Sequence, residues 1–128
     1  VLLTIQRRMR GKISKTSGNN QFINRKGLPM NNVYRLVKIC AEEFNTDPMK
    51  MQGKTRRQNV VFARHTAMSI MRNDLNLSYY EIGFMFNRNH STVIHAVKSV
   101  NMMREINKGF IRRFDAVYDK YLDDKYEL

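Results

Sequence analysis

Residues 79–105 have the pattern of two helices joined by a tight turn. Ser78 and Glu81 stand three positions apart, as in a capping box, where each side chain hydrogen-bonds to the backbone amide of the other residue. This spacing predicts a first helix over residues 79–86, a turn over residues 87–89 and a second helix after it. Two helices in this arrangement are typical of a helix-turn-helix, a motif that places its second helix in the major groove of DNA.

The second helix of this pair is predicted to begin with short polar side chains. Asn89, His90, Ser91 and Thr92 all carry hydrogen-bonding groups. Side chains of this size suit the floor of a groove, where base edges must be approached closely. Asn89 is also a plausible N-cap of the helix. An ordinary helical hairpin in a bundle is the alternative, but it has no need of this polar turn, so the pattern favours DNA binding.

The charge of the chain is strongly positive and unevenly distributed. The formal net charge is +12 over 128 residues. Residues 1–30 hold seven Lys or Arg and no acid, residues 31–104 hold eleven against five acids, and residues 105–128 hold five against six. The first two segments would attract a polyanion. Charge balance alone does not separate DNA from RNA or from acidic lipids.

The periodicity of apolar residues predicts an all-α fold, a helical bundle that contains the helix-turn-helix. Asn31 or Asn32 is a plausible N-cap of the first helix. Asp47 is expected to cap a short second helix that has Pro48 in its first turn and that ends at Gly53. We expect helices over residues 33–44, 48–51, 60–75, 79–86, 90–105 and 110–122.

Two parts of the chain are expected to differ in organisation. Residues 1–30 have weak periodicity and are predicted to form a basic, flexible N-terminal arm. Residues 31–128 are predicted to form one domain. Within it, Cys40 lies on an apolar helix face and is expected to be a buried small hydrophobe, and Gly83 is expected to allow close approach of two helices.

The sequence also resembles a known family. Glu-Ile-Gly at residues 81–83, Arg-Asn-His-Ser-Thr-Val at 88–93 and His-Ala at 95–96 are similar to the signature of the C-terminal DNA-binding domain of the bacterial replication initiator DnaA. The similarity covers roughly residues 31–104. It implies a DnaA C-terminal-domain-like fold, which is TrpR-like. The family usually has Asp where this chain has Asn89.

The resemblance implies a second DNA contact through the basic loop, which we define as residues 54–57. Arg56 matches the arginine that the family inserts into the minor groove, and a long cationic side chain suits a narrow groove of strong negative potential. Lys54, Arg57 and Arg64 would then hold phosphates. Solvated surface charge is the alternative for each of them.

The resemblance also places residues 89–92 in the major groove. Arg88 could reach a phosphate at the helix start. Tyr79 and Tyr80 could donate to the DNA backbone, although simple packing is an equal alternative. The predicted DNA-binding residues are Lys54, Arg56, Arg57, Arg64, Tyr79, Tyr80, Arg88, Asn89, His90, Ser91 and Thr92.

We expect no catalytic residues, metal or other cofactor. His65, His90 and His95 lack the spacing of metal ligands. Residues 53–55 do not complete a phosphate-binding loop, because Pro48 stands where the motif needs its first glycine, so no nucleotide binding is expected.

No window is apolar enough to span a membrane. A single cysteine fits a reducing cytoplasm, where the protein would associate with the nucleoid.

The expected function is sequence-specific binding of double-stranded DNA in replication initiation, origin recognition or its regulation. The chain would be a stand-alone or excised DNA-binding domain without the ATPase part of an initiator. A transcriptional regulator is one alternative. Another is an interaction module that uses its basic arm on RNA or an acidic partner.

Overall fold

The computed structural model describes the backbone from Pro29 to Tyr126 and the side chains of residues 32–123. The predicted basic arm therefore lies outside the described residues, except for its last two. Within the described part the fold is all-α, as predicted. Its helices are α1 (Pro29–Glu43), α2 (Pro48–Gln52), α3 (Gln58–Asn73), α4 (Tyr79–Phe86), α5 (His90–Ile106) and α6 (Lys108–Tyr126).

Asparagines that adopt the left-handed conformation follow three of these helices. The φ angles are 60° at Asn45 after α1, 56° at Asn76 after α3 and 55° at Asn87 after α4. Asparagine tolerates this conformation better than most residues, because its short amide can hydrogen-bond locally. The chain can therefore turn sharply without a glycine. The ends predicted near Asn45 and Asn76 agree with the structure to within a few residues.

The two N-cap predictions near the start of the domain had different outcomes. The Asp47 side chain accepts a hydrogen bond from Lys50 N (2.9 Å), with Pro48 in the first turn, as predicted. The caps predicted at Asn31 and Asn32 are wrong, since α1 already begins at Pro29. Proline is favoured in the first turn of a helix because a backbone N–H at that position has no partner within the helix, so proline loses no hydrogen bond by lacking one.

Helix α3 lies at the centre of the bundle, in contact with α1, α2, α4 and α5, while α6 packs on α1 and α5. Cys40 is fully buried, as predicted, and burial raises the pKa of its thiol well above the usual range. The largest fully buried side chains are Tyr121, Phe86, Leu36, Met51, Met68, Ile70, Met71, Ile82 and Met85.

Asn107 alone separates α5 from α6. Its backbone N–H donates to Met103 O, and its side-chain oxygen accepts from Phe110 N (2.9 Å). The gap predicted between the helices over residues 90–105 and 110–122 is therefore only one residue long, and α6 begins at Lys108.

Candidate nucleic-acid interface

The helix-turn-helix is formed by α4, residues 87–89 and α5. The capping box is present: Ser78 N donates to Glu81 Oε1 (2.8 Å) and Glu81 N donates to Ser78 Oγ (3.0 Å). At the other end of α4 the chain folds back, and Arg88 N donates to Gly83 O (2.7 Å). A Cβ on Gly83 would clash with the Arg88 carbonyl oxygen. Gly83 therefore allows close approach of the turn backbone, rather than of a second helix as predicted.

The first turn of α5 presents polar side chains to solvent. Asn89 is the N-cap, as predicted, and its Oδ1 accepts from both Ser91 N (2.8 Å) and Ser91 Oγ (2.7 Å). Asn89, Ser91 and Thr92 are exposed, and His90 is half-buried. Because both lone pairs of the Asn89 oxygen are engaged, its amide nitrogen is the group left for an outside partner.

The two tyrosines at the start of α4 have different surroundings. Tyr79 is half-buried against the core, with the Arg72 guanidinium 4.3 Å from its ring centroid. Tyr80 is 60% exposed and stacks on the His90 ring, with the centroids 4.2 Å apart. Packing therefore accounts for Tyr79, whereas Tyr80 is available to a partner.

The basic loop presents three cations to solvent. Lys54, Arg56 and Arg57 are exposed, and Thr55 is half-buried. The Thr55 hydroxyl accepts from Arg57 N (3.3 Å), just before α3 begins. The charged ends of the three side chains are free to approach a polyanion.

Arg64 is not part of this exposed set. It is 6% exposed, and its Nε donates to Met51 O (2.6 Å). Its Nη2 donates to Gly53 O (3.3 Å) and Thr55 O (3.2 Å). Burial, and after it the charge of Arg88, lowers the pKa of Arg64 to about 10. This geometry argues against the predicted phosphate contact, because the guanidinium is directed at backbone carbonyls.

Arg88 is also turned inward, in contrast to its predicted role at a phosphate. Its Nη1 donates to Phe86 O (2.6 Å) and Gln52 O (3.3 Å), and its Nη2 donates to Gly53 O. Gly53 O therefore accepts from both Arg64 and Arg88. The last carbonyls of a helix need donors from outside it, and here two arginines supply them at the end of α2. They connect the basic loop to the turn of the helix-turn-helix.

A comparison with protein families bears on this site. The family described as bacterial dnaA protein helix-turn-helix matches residues 33–100, which is more than half of the chain. The chain belongs to this family. The matched range includes α2 to α4, most of α1 and α5, and the basic loop. The resemblance to the DnaA DNA-binding domain is thereby confirmed.

Individual DnaA proteins are also similar to this chain over part of its length. The chromosomal replication initiator protein DnaA of Oleidesulfovibrio alaskensis is 40% identical over 73 residues, 57% of this chain and 15% of that protein. The proteins of the same name from Mycoplasma capricolum and Bacteroides thetaiotaomicron are 32% identical over 92 residues and 34% over 76. These two alignments cover 71% and 59% of this chain. The chain thus spans only 15–20% of the length of these curated relatives.

His65 lies in α3, near Arg64 and Arg88, and is held in its neutral form. Burial is the main cause, and the charges of Arg64, Arg88 and His95 add to it, so that the pKa of His65 is lowered to about 4.

The residues that the structure describes contain no cluster of three or more metal-ligand side chains. No helix between residues 29 and 126 is long and apolar enough to cross a membrane.

Proposed function

We propose that this chain binds double-stranded DNA sequence-specifically, with α5 as its recognition helix in the major groove. The observation that carries the proposal is the exposed polar turn at the start of α5, on a helix-turn-helix of the DnaA family. When the N-terminal turn of a helix lies in the major groove, its short donors and acceptors can reach base edges.

The groups available for base readout differ along this turn. The Asn89 amide nitrogen donates, and it would seek an acceptor such as N7 or O6 of guanine, N7 of adenine or O4 of thymine. Ser91 and His90 offer further hydrogen bonds. The Thr92 methyl group can pack against a thymine methyl, or its hydroxyl can bind a phosphate.

The basic loop supplies a second contact in this proposal. Arg56 enters the adjacent minor groove, while Lys54 and Arg57 hold phosphates on either side. All three side chains are exposed. A phosphate contact fixes position without reading sequence, so these residues raise affinity for any duplex. Arg64 and Arg88 contribute indirectly, by holding the loop against the helix-turn-helix.

The biological role we propose is binding at a replication origin, in initiation or its regulation. The relatives are named chromosomal replication initiators, and this chain carries a helix-turn-helix of the bacterial DnaA family. The function is binding rather than catalysis. Regulation of transcription would use the same interface.

Selection from a pool of random DNA duplexes tests the proposal. The protein is immobilised, and bound duplexes are amplified and sequenced over several rounds. We expect one short sequence to be enriched. Enrichment of no sequence, or tighter binding to RNA than to any duplex, would contradict the proposal.

A further inference from the structure

Tyr80, which is exposed, and His90, which is half-buried, form a pair that joins the two helices of the motif. Tyr80 is in the first turn of α4, and His90 is the first residue of α5. Their ring centroids lie 4.2 Å apart, with 21° between the ring planes. The Tyr80 hydroxyl lies 3.4 Å from His90 Nε2, within hydrogen-bonding distance.

This pairing restricts the His90 side chain. The tyrosine ring covers one face of the imidazole, and the hydroxyl engages Nε2, which leaves Nδ1 to hydrogen-bond with DNA. An imidazole without such support would sample several rotamers and lose that freedom when it binds. Tyr79 cannot provide the support, because it packs under Arg72 instead.

We propose that Tyr80 is a positioning residue for sequence readout, which holds the His90 ring in its DNA-binding orientation before the duplex arrives. The inference rests on the proposed function, because it requires that His90 contacts a base. Side chains that are ordered before binding lose less entropy in the complex. Removing the stack should therefore weaken binding to the preferred duplex by roughly 2- to 10-fold.

A direct contact between Tyr80 and DNA would cause a similar loss of affinity, so a double substitution is needed to separate the two roles. If Tyr80 acts through His90, its removal has no further effect once His90 is alanine. If Tyr80 touches DNA itself, its removal costs the same affinity with or without His90.

The experiment compares Tyr80→Leu, Tyr80→Phe, His90→Ala and the Tyr80→Leu/His90→Ala double variant, with Tyr34→Leu as control. Tyr34 is also exposed, and it lies on α1 against Lys38. Dissociation constants are measured for the selected duplex and for duplexes that carry each alternative base pair at every position. The position at which His90→Ala loses its base preference is the base pair that His90 reads.

We expect Tyr80→Leu to reduce preference at that base pair and at no other, and to have no effect in the His90→Ala background. Tyr80→Phe keeps the stack and should keep most of the preference. Tyr34→Leu should match the wild type.

Several results would overturn the inference while leaving the proposed function intact. They are an unchanged preference in Tyr80→Leu, an equal cost of Tyr80→Leu in the wild-type and His90→Ala backgrounds, and a His90→Ala variant that keeps every preference. A wild-type protein without any base preference would overturn the proposed function and this inference together.

Discussion

Asn89 caps α5 and presents one free group, the amide nitrogen. Aspartate at this position would keep the cap, because a carboxylate can accept the same bonds from Ser91 N and Ser91 Oγ. The Asn89→Asp substitution should therefore leave folding intact and change readout alone. Preference should shift from a base that offers an acceptor, such as adenine at N7, to cytosine, which offers an amino donor, by on the order of 1–3 kcal/mol at one base pair.

The measurement is the base preference at every position, compared between the wild type and Asn89→Asp. Asn101→Asp is the matched control, since it adds the same charge at an exposed position on α5, away from the first turn. Identical preference profiles for the wild type and Asn89→Asp would show that Asn89 is only a cap.

His65 should make stability depend on pH. Its pKa is about 4 in the folded protein, against an ordinary value of 6.5. Between these two values the unfolded chain takes up a proton at this site and the folded chain does not. The free energy of unfolding should thus fall as pH decreases from 6.5 towards 4, by up to about 3 kcal/mol from this residue.

Replacing His65 with glutamine should remove that part of the pH dependence. Urea unfolding at pH 7 and pH 4 gives the change in unfolding free energy for the wild type, His65→Gln and the control His90→Gln, which removes a histidine that is not among the charges acting on His65. The change should be smaller in His65→Gln only. Equal changes in all three proteins would mean that His65 takes up its proton in the folded state as it does in the unfolded chain.

Within the helix-turn-helix, Gly83 decides whether the turn can form. A Cβ there would clash with the Arg88 carbonyl oxygen, so Gly83→Ala must displace the turn that positions α5. We expect a loss of stability of about 1–3 kcal/mol, together with loss of preference for the selected duplex.

Gly109→Ala is the control for this substitution. The nearest atom to a Cβ at Gly109 is Asn107 Oδ1, at an ordinary 3.5 Å. Alanine in this helix should be neutral or stabilising by up to about 1 kcal/mol. Thermal unfolding measures both variants, and an unchanged melting temperature for Gly83→Ala would contradict the steric argument.

The sequence predicted elements well where their signals are local. The Asp47 cap and the Ser78–Glu81 capping box each join residues three positions apart, and such spacings can be recognised without a structure. The sequence did not predict the first turn of α1. Asparagine is a strong N-cap residue, so the asparagines that follow Pro29 indicated a helix that starts after them rather than at the proline.

The roles of Arg64 and Arg88 could not be predicted in this way. Arg88 donates to carbonyls at Gln52 and Gly53, more than thirty residues earlier in the chain, and Arg64 donates to Met51, thirteen residues earlier. An arginine near a basic loop looks the same in the sequence whether it faces a phosphate or a carbonyl. The available signal was the end of α2 at Gly53, since terminal carbonyls require donors.

The whole chain carries more positive charge than its described domain, and this should matter for affinity rather than for specificity. Residues 1–28 contain seven Lys or Arg and no acid, and α1 begins only at Pro29. Deleting residues 1–28 should leave the melting temperature unchanged and weaken binding to selected and shuffled duplexes by the same factor. The slope of log affinity against log salt should become shallower by about 0.9 for each phosphate that these residues neutralise in the full chain.

A variant in which those seven residues are glutamine separates charge from chain length, and it should behave like the deletion. A collapse of the melting temperature in the deletion variant would mean that residues 1–28 contribute to the fold. Weaker binding to the selected duplex alone would mean that they read sequence.

The discrimination between the selected duplex and a shuffled duplex of the same composition tests the role of α5 most directly. Dissociation constants for both duplexes are measured at one salt concentration, for the wild type and for a variant with His90, Ser91 and Thr92 all replaced by alanine. The wild type should prefer the selected duplex by about 10³-fold or more. The variant should lose most of that ratio and keep its binding to the shuffled duplex, because the basic loop remains. A variant that discriminates as well as the wild type would contradict the assignment of α5 as the recognition helix.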